Sequence, residues 1–160
     1  VTRVVILSDT HNQALPSKLI DFIEKSDIIL HAGDFTGMDT YGILERFGKP
    51  LYGVLGNMDD DALKGSLPVK RVVTVEGLAI ALIHGWGSPL HLSEKVAKEF
   101  DGMEWDVLVF GHSHSPFFEK KGKKTVINPG SPTDKRFARH NSFVWAEVDG
   151  KRFDHRFIEL

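Results

Sequence analysis

Short apolar runs recur along this chain, and each ends on a polar residue beside or near a glycine. VVILSDTH (Val4–His11) closes on Asp9 and His11, and IILHAGD (Ile28–Asp34) closes on Asp34. LYGVLGN ends at Asn57, IALIHG at His84 before Gly85, and VLVFGHSH at His112 and His114. Runs this short and this rich in Val, Ile and Leu read as buried strands. The segments between the first three read as helices. PSKLIDFIEKS opens on Pro16 and MDTYGILERFG stops at Gly48, the residue types expected at helix entry and exit.

Strand–helix–strand order predicts right-handed crossovers and a largely parallel sheet. The pattern changes after Gly65. RVVTVEG and LAIALI predict a hairpin around Glu76 and Gly77, and HLSEKVAKEF predicts another helix. Further strands are expected at Asp106–Phe110, Pro116–Lys120, Lys123–Ile127, Ser142–Val148 and Arg152–Ile158. KKGKK, with Gly122 at its centre, fits a solvated hairpin turn. These are too many strands for one doubly wound sheet with a helix after each. Two sheets packed face to face with helices outside fit better. No repeat or low-complexity linker divides the chain, so residues 1–160 are read as one domain.

Composition narrows the function classes. The hydrophobic fraction of 41% and charged fraction of 26% are those of an ordinary globular protein. A net charge of −2 gives no support to a nucleic-acid or membrane surface. LAIALI is far too short to span a bilayer, and the N-terminal VVIL run is short for a signal-peptide core, so a cytoplasmic protein is expected. Cysteine is absent, which excludes disulfides, a thiolate metal site and a cysteine nucleophile. Any metal must be held by nitrogen and oxygen.

In α/β sheets ligands bind at the carboxyl ends of the strands. Five strand ends here carry Asp, Asn or His: Asp9 and His11, Asp34, Asn57, His84, and His112 with His114. Loops favour Gly, Ser, Asn, Asp and Pro over histidine, so chance loop starts account poorly for all five. His112 and His114 would point the same way if the backbone between them stayed extended, presenting two imidazoles to one object. The seven nitrogen and oxygen groups exceed the four ligands of a typical structural zinc site. They suit two metals sharing a bridge, with the two oxygens of Asp34 as the natural bridging group. The glycines beside them (Gly33, Gly56, Gly85 and Gly111) allow sharp turns and close approach.

D-x-H at Asp9–His11, G-D at Gly33–Asp34, G-N at Gly56–Asn57, H-G at His84–Gly85 and G-H-x-H at Gly111–His114 together resemble the calcineurin-like metallophosphoesterases. Length and motif order are similar to the small single-domain, YfcE-type phosphodiesterase branch, and NPGS at Asn128–Ser131 extends the likeness. The resemblance implies an α/β fold, a four-layer αββα sandwich of two mixed β-sheets flanked by helices, with a metal site at the C-terminal ends of the strands. It implies that Asp9, His11, Asp34 and His114 hold one divalent ion and that Asp34, Asn57, His84 and His112 hold a second. Mn²⁺ is the first expectation, with Ni²⁺, Co²⁺, Fe²⁺ or Zn²⁺ also compatible with such ligands. Asn57, His84 and Ser131 are the expected substrate contacts.

Two such ions, about 3.5–4 Å apart, can clamp a phosphoryl group and supply a bridging hydroxide for in-line attack, with no protein nucleophile. Many members of the family this chain resembles carry histidine after the G-N, where it can protonate the leaving oxygen or bind the phosphate; here that residue is Met58, and a thioether cannot donate a proton. The expected activity is therefore a phosphodiesterase biased towards good leaving groups. The substrate is a small phosphate ester, nucleotide-derived esters included, and the resemblance allows a homo-oligomer. Two alternatives stand beside it: a phosphomonoesterase, or a non-catalytic protein-binding scaffold of the same fold, as a retromer subunit uses it.

The remaining polar residues carry paired readings. Asp59 and Asp60 could orient ligands or cap a helix. His31 could orient the site or be a satisfied core histidine. His91, His140 and His155 read as surface residues. NPGS is either a turn or part of the site wall. Arg136 and Arg139 could bind phosphate or face solvent. Trp86 could wall a pocket or pack in the core.

Overall fold

A computed structural model describes residues 1–134 and 139–160. The chain runs β1 (Thr2–Leu7), α1 (Ser17–Lys25), β2 (Ile28–His31), α2 (Met38–Glu45), β3 (Leu51–Gly53) and α3 (Asp61–Lys64). It continues through β4 (Lys70–Val75), β5 (Leu78–Ile83), α4 (Leu92–Lys98), β6 (Val107–Val109), β7 (Phe117–Lys121), β8 (Lys124–Asn128), β9 (Ser142–Asp149) and β10 (Arg152–Glu159). Two mixed five-stranded sheets result, ordered β10-β9-β1-β2-β3 and β4-β5-β6-β8-β7. The first three strands pair in parallel, as do β5, β6 and β8.

The apolar runs carry no clean alternation of polar residues because both strand faces are buried. In β1, Val4 and Ile6 join Ile80, Leu82, Val107 and Val109 in the layer between the sheets. Val5 and Leu7 face the other way, onto Leu19 and Ile23 of α1 and Leu44 of α2. On the far side, Ala81, Ile83 and Leu108 pack against Leu92, Val96 and Phe100 at α4. Three apolar clusters thus separate four layers, helix–sheet–sheet–helix, as the sequence pattern predicts. Each fully buried Val, Leu or Ile contributes about 1.5–3 kcal/mol of transfer free energy.

Both expected hairpins form. Lys121 and Lys124 pair across a turn with Gly122 at φ +60°, and Val75 pairs with Leu78 across a turn in which Glu76 itself is left-handed at φ +54°. Asp60 caps α3, accepting from the Leu63 N–H at 3.2 Å, so its capping reading holds. Parallel strands deliver their carboxyl ends to one rim: Leu7 lies opposite His31, His31 opposite Gly53, and Leu82 opposite Val109. The rims of the two sheets meet where the His112 N–H donates to Asp9 Oδ2 at 3.1 Å.

Candidate metal centre

The loops that leave these strands are tightly tied to one another. Asp9 N–H donates to the Gly33 carbonyl at 2.9 Å, His11 N–H to the Asp34 carbonyl at 3.0 Å, and Gly111 N–H to the His84 carbonyl at 3.0 Å. Asp9, His11, Asp34, His112 and His114 all have positive φ, between 48° and 71°. Left-handed backbone is unfavourable for residues with a Cβ and persists where surrounding contacts over-determine it. The extended backbone on which His112 and His114 would point the same way is not adopted. Both are left-handed, and they address different parts of the site.

His114 turns towards Asp9. Its Nε2 lies 3.2 Å from Asp9 Oδ1 and 3.0 Å from His11 Nε2, with His11 Nε2 itself 3.6 Å from Asp9 Oδ1. Asp9, His11 and His114 therefore form one group whose donor atoms lie within 4.8 Å of one another. Asp9, Asp34 and His84 form a second. Asp34 Oδ2 stands 3.2 Å from His84 Nε2 and 3.6 Å from His11 Nε2, between the two groups. Asp9 Oδ1 is likewise shared, 3.7 Å from His84 Nε2.

His112 completes the second group from the other side. Its Nδ1 is 3.2 Å from Asn57 Oδ1, and His84 Nε2 is 2.9 Å from the same oxygen. The opposite ring nitrogens are occupied: His84 Nδ1–H donates to the Ala32 carbonyl at 2.8 Å, and His112 Nε2–H to the Gly87 carbonyl at 2.7 Å. Those bonds leave two imidazole lone pairs and an amide oxygen converging with no proton of the neutral rings between them. Backbone carbonyls that fix the tautomer in this way are the usual support of metal-binding histidines. Asp9 Oδ1 is buried and, among the described residues, has no hydrogen-bond partner. An orphaned carboxylate oxygen facing three imidazoles fits a cation at that position.

The charges agree. Burial would raise the Asp9 carboxyl, but His11 and His114 hold it well below the usual carboxylate range. Burial likewise opposes ionisation of Asp34, yet His84 and the Met58 N–H keep it low. Burial disfavours charge on His84, but the hydrogen bond to Asp34 and the charge of Asp9 lift it to about 9. The metal-free ring of His84 therefore holds a proton towards Asp34 across the neutral range.

Glycine is required where the loops press on these carboxylates. A Cβ on Gly56 would collide with Asp34 Oδ1, and one on Gly111 would collide with Ser8 Oγ and lie 2.7 Å from Asp9 Oδ2.

Other residues expected at the site fall into place by contact. Ser131, expected to touch substrate, is buried instead; its hydroxyl donates to the Asp9 carbonyl at 2.7 Å and so anchors ligand-bearing backbone. Asn128, at the head of NPGS, donates to the Gly111 carbonyl at 3.0 Å and to Ser113 Oγ at 3.1 Å, bracing the G-H-S-H loop. His31 is a satisfied core histidine. Its Nδ1 accepts from the Gly33 N–H at 3.1 Å, so Nε2 carries the proton and donates to Thr10 Oγ1 at 3.1 Å. Trp86 is half-exposed and walls a small hollow with Leu55, Val69 and His84. His155 is not simply a surface residue, since its ring lies 4.7 Å from that of Phe118 and 5.5 Å from that of Phe153. Arg139 is exposed, and Arg136 lies outside the described residues.

Two carboxylates support the site, and only one of them, Asp134, escapes sequence reading. Asp134 is buried with Oδ2 3.6 Å from His114 Nδ1. Asp59 is buried and accepts backbone N–H bonds from Asp34, Thr36 and Gly56. Asp134 stands twenty residues beyond His114 with no local signature, whereas Asp59, read in sequence as orienting ligands or capping a helix, braces the loops that carry Asp34 and Asn57.

Known proteins resemble this chain in sequence and fold. The calcineurin-like phosphoesterase superfamily domain matches residues 2–151. A probable metallophosphoesterase of Methanothermobacter thermautotrophicus is 33% identical over 159 residues, covering 96% of this chain and 90% of the relative. A phosphodiesterase of Methanocaldococcus jannaschii is 26% identical, covering 80% of this chain and 82% of its own. The solution structure of a Thermotoga maritima protein, 34% identical, superposes over 100% of both chains with a TM-score of 0.77. With the domain match spanning all the strand ends that build the Asp–His rim, this chain belongs to the calcineurin-like phosphoesterase superfamily.

Proposed function

We propose that the protein is a divalent-metal-dependent phosphodiesterase with two ions in this rim, Mn²⁺ in the first instance. Asp9, His11, Asp34 and His114 would hold one ion, and Asp34, Asn57, His84 and His112 the other. The observation that carries this reading is Asp34 Oδ2, placed between His11 Nε2 and His84 Nε2 at 3.6 and 3.2 Å. Divalent ions bound there would supply Lewis-acid neutralisation of phosphoryl charge and lower the pKa of water to near neutrality.

The chain's own residues set the rest of the chemistry. Hydrolysis forms one phosphorus–oxygen bond from water and breaks the bond to the leaving alcohol in line, and the leaving oxygen must gain a proton. Met58, 60% exposed on the rim, cannot give it. Water or a residue other than Met58 must then give it, which favours leaving groups that depart as anions. Asn57 is exposed and His84 buried beneath it, so Asn57 is the residue of the pair that meets the phosphate. The ring orientations of His84 and His112 are held by Ala32 and Gly87, so ligand geometry is preorganised.

The test is hydrolysis of an aryl phosphodiester by metal-stripped protein, with Mn²⁺ restored and Asp34→Asn as control. Metal-dependent turnover lost in the control is the expected result. A folded, metal-loaded protein with no turnover on diesters or monoesters would instead assign the fold to a scaffold role.

A further inference from the structure

A cavity of about 760 Å³ opens beside His112, between the segment leading into α4 and the loop joining β6 to β7. His112 is common to this cavity and to the metal rim: its Nδ1 faces Asn57, and its ring also lines the cavity. The walls include Leu92, Phe110 and Phe117 as apolar surfaces. Glu94 and Glu119 line it as well, and no lysine or arginine does among the described residues. A volume of this order accepts a ring-bearing group, and apolar walls with a few polar atoms are the usual make-up of a small-molecule site.

The charge pattern inverts between the two regions. The rim collects cations and calls for one phosphoryl group, whereas the cavity presents two carboxylates and repels further anions. Glu94 is tied to His91 Nδ1 at 3.5 Å and Glu119 to Lys121 at 3.6 Å, but both pairs are solvent-exposed and screen only weakly. A nucleoside polyphosphate arm would meet those carboxylates, and an uncharged ring would meet aromatic surface.

Building on the phosphodiesterase reading, we infer that this cavity takes one ester arm of the substrate and selects an uncharged, ring-bearing arm over one carrying additional negative charge. Glu94 and Glu119 are the specificity-determining residues of that choice, acting on the arm and not on the reacting phosphorus.

Three p-nitrophenyl phosphodiesters, armed with methyl, phenyl or 4-carboxyphenyl, separate these ideas because the leaving group is the same in each. With Mn²⁺-loaded protein, kcat/KM is expected to be about tenfold or more higher for the phenyl than for the methyl arm, one added aromatic ring being worth at least one decade. The carboxyphenyl arm should fall back to the methyl level or below. In Glu94→Lys/Glu119→Lys protein the phenyl-to-carboxyphenyl ratio should drop by about tenfold, with folding checked by circular dichroism. Equal kcat/KM for methyl and phenyl arms overturns the cavity assignment. A ratio unmoved by charge reversal overturns the role of the two glutamates. In either case metal-dependent turnover would leave the phosphodiesterase reading standing. Absence of metal-dependent turnover on all three diesters overturns that reading and this inference together.

Discussion

Asp59 accepts from the Asp34 N–H at 3.1 Å and from the Gly56 N–H at 2.7 Å through one oxygen, while its other oxygen accepts from the Thr36 N–H at 2.7 Å. One buried carboxylate thereby pins the loop that presents Asp34 to the turn that presents Asn57. An amide cannot replace it, because one oxygen would become an NH₂ group facing backbone N–H donors. Asp59→Asn should cost about 1–3 kcal/mol of stability and weaken metal binding about 10–100-fold. Urea unfolding and Mn²⁺ titration on the same preparation measure both. Wild-type metal affinity in the variant would show that Asp59 braces nothing the ions need.

Gly111, after β6, lies close against Ser8 and Asp9 after β1, where the two sheets meet at the rim. A methyl group there would collide with Ser8 Oγ and crowd Asp9 Oδ2, and neither has room to retreat because Ser8 Oγ already donates to that oxygen at 2.5 Å. Gly111→Ala should lose about 1–3 kcal/mol from overpacking and displace Asp9 from its imidazole partners. Gly102, left-handed with nothing within 4 Å of a built Cβ, is the comparison: Gly102→Ala strains the backbone but should leave metal binding intact. Metal content after dialysis distinguishes them, and equal retention by both would contradict the steric argument.

The strand ends, the two-sheet architecture and the Asp–His donors were legible because apolar runs and their terminating residues are local in sequence. The direction of each side chain was not. His112 and His114 point the same way only on extended backbone, and the left-handed φ they adopt is held by contacts from Asp9, Gly87 and Asn128, all distant in the chain. Ser131 illustrates the same limit. The motif likeness makes it a substrate contact, yet the fold buries it against the Asp9 carbonyl. Asp60 behaved as its position implied because capping is a local interaction. For its neighbour Asp59 the sequence left ligand orientation and capping open, and only partners across the rim decide for the first.

His31 gives stability a pH dependence of its own. Complete burial pushes it down to about 3, from an ordinary value of 6.5, and its two ring nitrogens are satisfied in the neutral form. The unfolded chain protonates this group below 6.5 while the folded chain does not until about 3. Stability should therefore fall as pH drops through that window, by about 1.4 kcal/mol per unit from this residue at full slope. His31→Gln removes the titrating group, so its urea midpoint should vary less than that of the wild type between pH 6.5 and 4. Parallel pH profiles would remove His31 from the account.

Met58 can be tested by restoring a proton donor. Its side chain is exposed, and its backbone N–H bond to Asp34 Oδ1 at 2.8 Å survives any substitution other than proline. Met58→His should accelerate alkyl phosphodiesters more than aryl ones, since general acid catalysis, worth at most about 10²–10⁴-fold, helps poor leaving groups most. The informative quantity is the alkyl-to-aryl rate ratio. A ratio unchanged by the histidine would mean that leaving-group protonation does not limit the reaction or that position 58 cannot reach the leaving oxygen.

Metal binding itself should be coupled to a proton at His84. In the metal-free protein burial opposes its charge, but Asp34 and Asp9 lift the group to about 9. Its contribution to folding is then fully present below the ordinary value of 6.5 and is lost as pH rises through 9. The same Nε2 is the atom offered to a cation, because Nδ1 is committed to the Ala32 carbonyl. A divalent ion must displace that proton, so Mn²⁺ affinity should rise about tenfold per pH unit from His84 alone, then flatten above about 9. Calorimetric titration at pH 7 in two buffers of different ionisation enthalpy counts the protons released. About one more proton should be released by the wild type than by His84→Asn. The same count in both proteins would mean that the ion never engages His84, and the second metal position would have to be rebuilt around Asn57 and His112.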